Sequence, residues 1–174
     1  GPPNEPNTQI GPMANKPHYE RVLKLIADAE NYGHEILLDG RSACRAHGYY
    51  VGPTIFTNVP NDSKLAQTEI FGPVVSTEAW DDDEEVICKA NDTIYGLAAG
   101  IWSKDVGKAM RISDKIEAGT IYINNYFNAA TQSPVGGFKQ SGYGRESGWE
   151  GMRGFMQTKS VWLSTAPFQP DPFD

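Results

Sequence analysis

Few side chains in this sequence could carry chemistry, and they are scattered. Cys44 and Cys88 are the two cysteines, and His18, His34 and His47 the three histidines. Neither thiol has a candidate base or an anion hole beside it in sequence, so neither reads as an activated nucleophile. Cys88, next to Val86 and Ile87 in a predicted helix, reads as a small buried hydrophobe. The histidines have no partner three to five residues away, the spacing that zinc sites favour, and read as surface or helix-face imidazoles. The acidic run Asp81-Asp82-Asp83-Glu84-Glu85 does not interleave carboxylates with turn residues as a divalent-cation loop does. It reads instead as a helix N-cap followed by acids at the positive end of the helix dipole. Gly142-Tyr143-Gly144-Arg145-Glu146-Ser147-Gly148 approximates a dinucleotide fingerprint. Its last interval is one residue too long, and it follows a loop rather than a strand. No metal set and no nucleophile–base pair can be assembled from these residues.

The elements that would position such side chains are easier to read. The 174 residues carry a net charge of −7, with 39% hydrophobic and 21% charged residues. That is a globular composition, large enough for a sizeable core. The negative charge and the lack of a basic stripe argue against a nucleic-acid partner. No apolar run reaches membrane-spanning length, and the two thiols form no dense disulfide framework. The expected compartment is the cytoplasm, with the mitochondrial matrix as the alternative. Helices are expected over about 17–32, with Val22, Leu25, Ile26 and Ala29 on one face, and over 63–68, 81–91, 104–116 and 146–155. Strands are expected at 35–38, within 49–59, and at 74–80, 97–102, 119–124 and 160–163. Asn61-Asp62-Ser63 and Asn91-Asp92-Thr93 read as turn and helix-end sequences rather than glycosylation acceptors. Strands alternating with helices predict an α/β fold, a partial parallel open sheet with flanking helices. The stretch 125–148 reads as one long loop, a length more often functional than ornamental.

Three stretches together resemble the aldehyde dehydrogenase superfamily. They are Glu69-Ile70-Phe71-Gly72-Pro73-Val74, Asn91-Asp92-Thr93-Ile94-Tyr95-Gly96-Leu97-Ala98-Ala99, and the run from Ser133-Pro134-Val135-Gly136-Gly137-Phe138-Lys139 through Gln140-Ser141-Gly142-Tyr143-Gly144-Arg145-Glu146. Asn7-Thr8-Gln9-Ile10-Gly11-Pro12 and residues 48–56 also match. The stretches stand in order and with family-like spacing, so the resemblance covers nearly the whole chain. It implies that residues 1–158 are the C-terminal part of a catalytic domain, and 159–174 an oligomerisation strand and tail.

The resemblance also assigns roles. Glu69 corresponds to the glutamate that accepts hydrogen bonds from the nicotinamide-side ribose of NAD or NADP; a carboxylate, a pure acceptor, suits that task. Phe71 corresponds to the aromatic residue beside the nicotinamide ring. Phe127 and Val135 correspond to the wall of the substrate entrance, with Tyr126 and Ala129 as neighbours. Residues 159–163 correspond to a strand that adds to a sheet in a neighbouring subunit, giving a homo-oligomer, a dimer or tetramer. The family's nucleophilic cysteine, its general-base glutamate, its oxyanion-hole asparagine and its nucleotide-binding sheet are expected upstream of Gly1. No catalytic residue is therefore expected in this chain, and the isolated chain is expected to be inactive. The implied parent reaction is NAD(P)-dependent oxidation of an aldehyde to a carboxylic acid through a cysteine thiohemiacetal. Two other readings stay open: a truncated, non-catalytic relative serving as a binding or assembly module, and one half of a split enzyme.

Overall fold

Asn15 opens the longest helix, its side chain accepting the backbone N–H of His18. In the computed structural model, which describes residues 1–43, 48–128, 130–165 and 171–173, α1 runs Lys16–Asn31 with Pro17 in its first turn. Proline suits that position because its missing N–H would be unpaired there anyway. The helix stops at Gly33, whose φ of +87° lets Gly33 N and His34 N turn back onto the carbonyls of Glu30 and Ala29. That pair of bonds is the glycine-dependent termination expected of such a residue. Val22, Ile26 and Ala29 are buried along one face of α1.

That face meets β2 (Thr54–Thr57), on which Thr54 and Phe56 alternate inward. Val22, Ile26, Ala29, Val51, Phe56, Val59 and Leu65 form the main core. Thr54, the buried polar residue, accepts the Gly40 N–H through its hydroxyl at 3.1 Å, so its burial leaves no orphaned group. β1 (Glu35–Leu38) flanks β2 on one side and β3 (Val74–Ser76) on the other. α2 (Lys64–Gln67), capped by Ser63, lies in the crossover between β2 and β3. The next segment contains α3 (Asp83–Asn91), β4 (Tyr95–Gly96), β5 (Ala98–Ile101), α4 (Val106–Ser113) and β6 (Thr120–Ile123). β7 (Phe138–Lys139) and α5 (Gly148–Arg153) follow.

The expected α/β alternation is present, and both β2–β3 and β5–β6 pair in parallel across a helix. Two pairings depart from an all-parallel sheet. β1 runs antiparallel to β2; the described residues between them hold a 3₁₀ turn at Gly40–Ala43 and no crossover helix of the kind a parallel pair needs. β7 folds back antiparallel on β4 inside what the sequence suggests is one loop. The three strand groups share no ladder among the described residues.

Several local expectations need correction. The strand expected over 74–80 ends at Ser76, since its partner β2 ends at Thr57 and Asn58 turns to a φ of +53°. The strand expected at 160–163 has no pairing partner among the described residues, and Val161, Trp162 and Leu163 are 80%, 94% and 85% exposed. An edge strand needs another backbone to complete it. Cys88 is exposed rather than buried: α3 turns Ile87 inward, and the next residue faces solvent. The acidic run behaves as expected, with Asp82 capping α3 and Asp83, Glu84 and Glu85 in its first turn. Cys44, His47, Ala129 and residues 166–170 of the tail lie outside the described residues.

Candidate functional site

Glu69, Ile70, Phe71 and Gly72 form the connector between α2 and β3. It leaves α2 in an extended conformation at Thr68 and is closed by Pro73. The Ile70 side chain packs against the main core, while Glu69 is exposed and Phe71 is 78% exposed. The carboxylate of Glu69 takes no hydrogen bond or ion pair from any described residue. Its acceptor oxygens therefore face outward without a competing cation. Phe71 has a φ of +59°, the left-handed region that costs a non-glycine residue roughly 1–2 kcal/mol. Its ring stands outside the main core and meets the edge of the His18 ring. Strain of this kind collects where a ligand or a switch requires it.

Helix α1 secures this connector from behind. The Arg21 guanidinium donates to the carbonyls of Glu69 at 2.7 Å and Ile70 at 2.8 Å, and His18 Nε2 lies 2.7 Å from the carbonyl of Phe71. Neither residue stands out in the sequence, where His18 reads as an isolated imidazole. The detectable signal is their three-residue spacing, which puts both on one side of α1.

The same strain marks Phe127. It has a φ of +62° and is 85% exposed, on the chain leaving β6. Asn124 fixes the start of that chain: its side chain both accepts the Ser103 N–H and donates to the Ser103 carbonyl, each at 2.9 Å. Tyr126 then stacks on Trp102 with ring centroids 6.2 Å apart, and contacts Tyr122 at 5.1 Å and Phe127 at 5.8 Å. The result is an aromatic wall of four rings, of which sequence reasoning singles out Phe127 and its neighbour Tyr126 but not Trp102 or Tyr122. Val135, 39% exposed, sits further along, held by a reciprocal backbone bridge to Glu146.

The three sequence motifs converge. A depression of about 510 Å³ is lined by Glu69 from the first, Thr93 and residues 95–99 from the second, and Gln140 and Ser141 from the third. Stitching between the motifs is dense. Gly96 N donates to the Ser141 hydroxyl at 3.0 Å, Gln140 N to the Ile94 carbonyl at 2.9 Å, and the Asn91 side chain bonds both Lys115 O and Glu117 N at 2.8 Å. The Asn91 amide is thus a structural brace, in keeping with its reading as a helix-end residue. Of the predicted cofactor contacts, Glu69 lines this depression and Phe71 does not; Phe127 and Val135 of the predicted substrate wall do not line it either.

The sequence model of the Aldehyde dehydrogenase family matches residues 1–161. This chain belongs to the aldehyde dehydrogenase family. Among its relatives is a protein described as the putative aldehyde dehydrogenase DhaS of Bacillus subtilis, 43% identical over 160 residues, covering 91% of this chain and 32% of that protein. Among solved aldehyde dehydrogenase structures, the apo betaine aldehyde dehydrogenase of Staphylococcus aureus superposes with a TM-score of 0.89 at 36% identity, covering 95% of this chain and 34% of that one. An aldehyde dehydrogenase of Bacillus cereus in complex with NAD+ superposes with a TM-score of 0.87 at 38% identity, covering 93% of this chain and 33% of that one. The chain therefore spans about a third of the length of the aldehyde dehydrogenases it matches. The agreement in backbone confirms the α/β class of the family fold.

Proposed function

We propose that this chain forms the ribose-holding and substrate-lining part of an NAD(P)-dependent aldehyde dehydrogenase, with the thiol nucleophile supplied from outside these residues. The observation that carries the reading is the 69–71 connector: an outward carboxylate with no cation on it, followed by an exposed aromatic on a left-handed backbone. Glu69 accepts the two ribose hydroxyls of NAD or NADP, and the donor set fits because hydroxyls can satisfy a carboxylate that no described residue satisfies. Phe71 bounds the position of the nicotinamide ring, and the bound dinucleotide supplies the hydride acceptor. Phe127, backed by Tyr126, Tyr122 and Trp102, with Val135 beyond, excludes water from the approach of a small aldehyde. The exposed run Val161–Leu163 supports docking on the sheet of a second copy, giving a dimer or tetramer.

The test is made in the full-length enzyme that carries these residues. Glu69→Gln keeps the shape and removes the charge. A charge-assisted hydrogen bond is worth roughly 1.5–3 kcal/mol, so KM for NAD should rise about tenfold or more with thermal stability unchanged. An unchanged KM for NAD would overturn the ribose assignment. Aldehyde oxidation by these 174 residues alone would overturn the division of labour.

A further inference from the structure

We propose that His18 and Arg21 are positioning residues for the cofactor, acting through the backbone of residues 69–71 rather than by touching the dinucleotide. The inference rests on the reading of Glu69 as the ribose acceptor. Its basis is a pattern of three consecutive carbonyls gripped by two side chains one helical turn apart. Arg21 Nη2 takes Glu69 O at 2.7 Å, Arg21 Nη1 takes Ile70 O at 2.8 Å, and His18 Nε2 takes Phe71 O at 2.7 Å. A carbonyl can only accept, so the imidazole must carry its proton on Nε2. The fork of the guanidinium suits two neighbouring oxygens in a way a lysine ammonium does not.

Two further contacts lock the same segment. The ring of Phe71 stands edge-on to His18 at 6.3 Å and 65°. Gly72 lies so close to Val22, the residue after Arg21, that a Cβ there would come within 3.1 and 3.2 Å of the valine methyls. One stretch of α1, from His18 to Val22, thus holds every residue from Glu69 to Gly72.

What Arg21 does not do is equally informative. Arg21 is exposed, and Glu69, whose backbone it holds, carries the nearest carboxylate in sequence to those carbonyls, yet no ion pair forms between them among the described residues. Pairing would neutralise the acceptor that the ribose needs. By spending its donors on backbone oxygens, the guanidinium fixes where the carboxylate points and leaves both of its oxygens available. The arrangement also resists relaxation of Phe71 out of its left-handed conformation, which an ungripped loop would abandon.

The test uses the full-length enzyme and four variants: Arg21→Ala, Arg21→Lys, Glu69→Gln, and Arg21→Ala combined with Glu69→Gln. Arg21→Ala should raise KM for NAD about tenfold, with KM for the aldehyde and the melting temperature little changed; Arg21→Lys should restore part of the loss. The double variant should bind NAD no worse than Glu69→Gln alone, because a residue that acts through another adds nothing once that other is gone. Additive losses would overturn the proposal in favour of a direct contact of Arg21 with the dinucleotide. A fall in melting temperature with KM for NAD unchanged would overturn it in favour of a purely structural brace. If Glu69→Gln itself leaves KM for NAD unchanged, the ribose reading fails instead, and the two failures are told apart. His18→Ala, read alongside, should shift KM for NAD in the same direction by about threefold, the effect of losing one of the three bonds.

Discussion

The Lys139 ammonium lies 2.6 Å from the Glu117 carboxylate, and the same nitrogen donates to the carbonyls of Asn91 at 2.6 Å and Thr93 at 3.2 Å. One side chain, 25% exposed, thereby ties the third motif to the second and to the chain that leads into β6. Lys139→Met, which preserves most of the volume, should cost about 2 kcal/mol, because two carbonyls lose a charged donor. Glu117→Gln should cost much less, about 0.5 kcal/mol, since that carboxylate is 54% exposed and its pairing is screened. Urea unfolding of the two variants checks the ordering; equal losses would mean that the ion pair, not the carbonyls, carries the contact.

Gly119 marks the closest backbone approach in this region. A Cβ there would run into the carbonyl oxygen of Gly136, a backbone atom that cannot swing aside. Gly119→Ala should therefore destabilise by about 3 kcal/mol, at the upper end for overpacking, and should separate β6 from the turn that starts the third motif. Amide exchange at Gln140, whose N–H donates to the Ile94 carbonyl, reports the loosening of that motif. Unchanged protection there would show that the backbone can yield.

Acid should weaken the contact between Arg41 and Asp39 before it disturbs the core. Arg41 forks onto Asp39, with Nε 2.9 Å from one oxygen and Nη2 2.6 Å from the other, and reaches Glu30 on α1 at 2.7 Å. The hydrogen bond from the Arg41 guanidinium, and then that from the Arg41 backbone, hold the Asp39 carboxyl below its ordinary 3.8. A carboxyl lowered in the folded state contributes stability in full above about pH 5. That contribution fades as pH falls through the unfolded value, near 4, toward the lowered folded one. With Asp39 41% exposed, solvent screening limits it to about 0.5 kcal/mol at neutral pH. Denaturant midpoints between pH 7 and 3 should fall more steeply for the wild-type chain than for Arg41→Gln, and parallel curves would remove Asp39 from the account.

Trp162 and Leu163 make the proposed subunit contact measurable. Both are almost fully exposed, so replacing them with serine should alter the stability of a single subunit by less than about 0.5 kcal/mol. In the proposed longer enzyme the same pair of changes should shift sedimentation toward smaller species. An unchanged sedimentation profile would rule out residues 159–163 as the bridging strand.

The amphipathic face of α1, the β2 alternation and the acidic start of α3 are legible in the sequence because each depends on local periodicity or capping. Val22, Ile26 and Ala29 fall inward where their spacing puts them. β7 escapes notice because two residues set no period, and its pairing with β4 depends on distant partners, Tyr95 with Lys139 and Gly96 with Phe138. The end of β3 was set by the turn at Asn58 on its neighbour, which no pattern within 74–80 reveals. Glu69, Phe71, Phe127 and Val135 are visible only through family resemblance, since a lone carboxylate and a few apolar residues have no local signature. Arg21 and His18 escape even that, because what makes them matter is a set of carbonyls about fifty residues downstream.

The left-handed backbone at Phe71 has a bearing on evolution in the laboratory. Glycine would sit there with none of the strain, for a gain of about 1 kcal/mol. A library of this segment screened only for heat resistance should therefore lose the phenylalanine early. A screen for turnover should keep it. Sequencing the two surviving pools at this single codon would separate what the polypeptide prefers from what its chemistry demands.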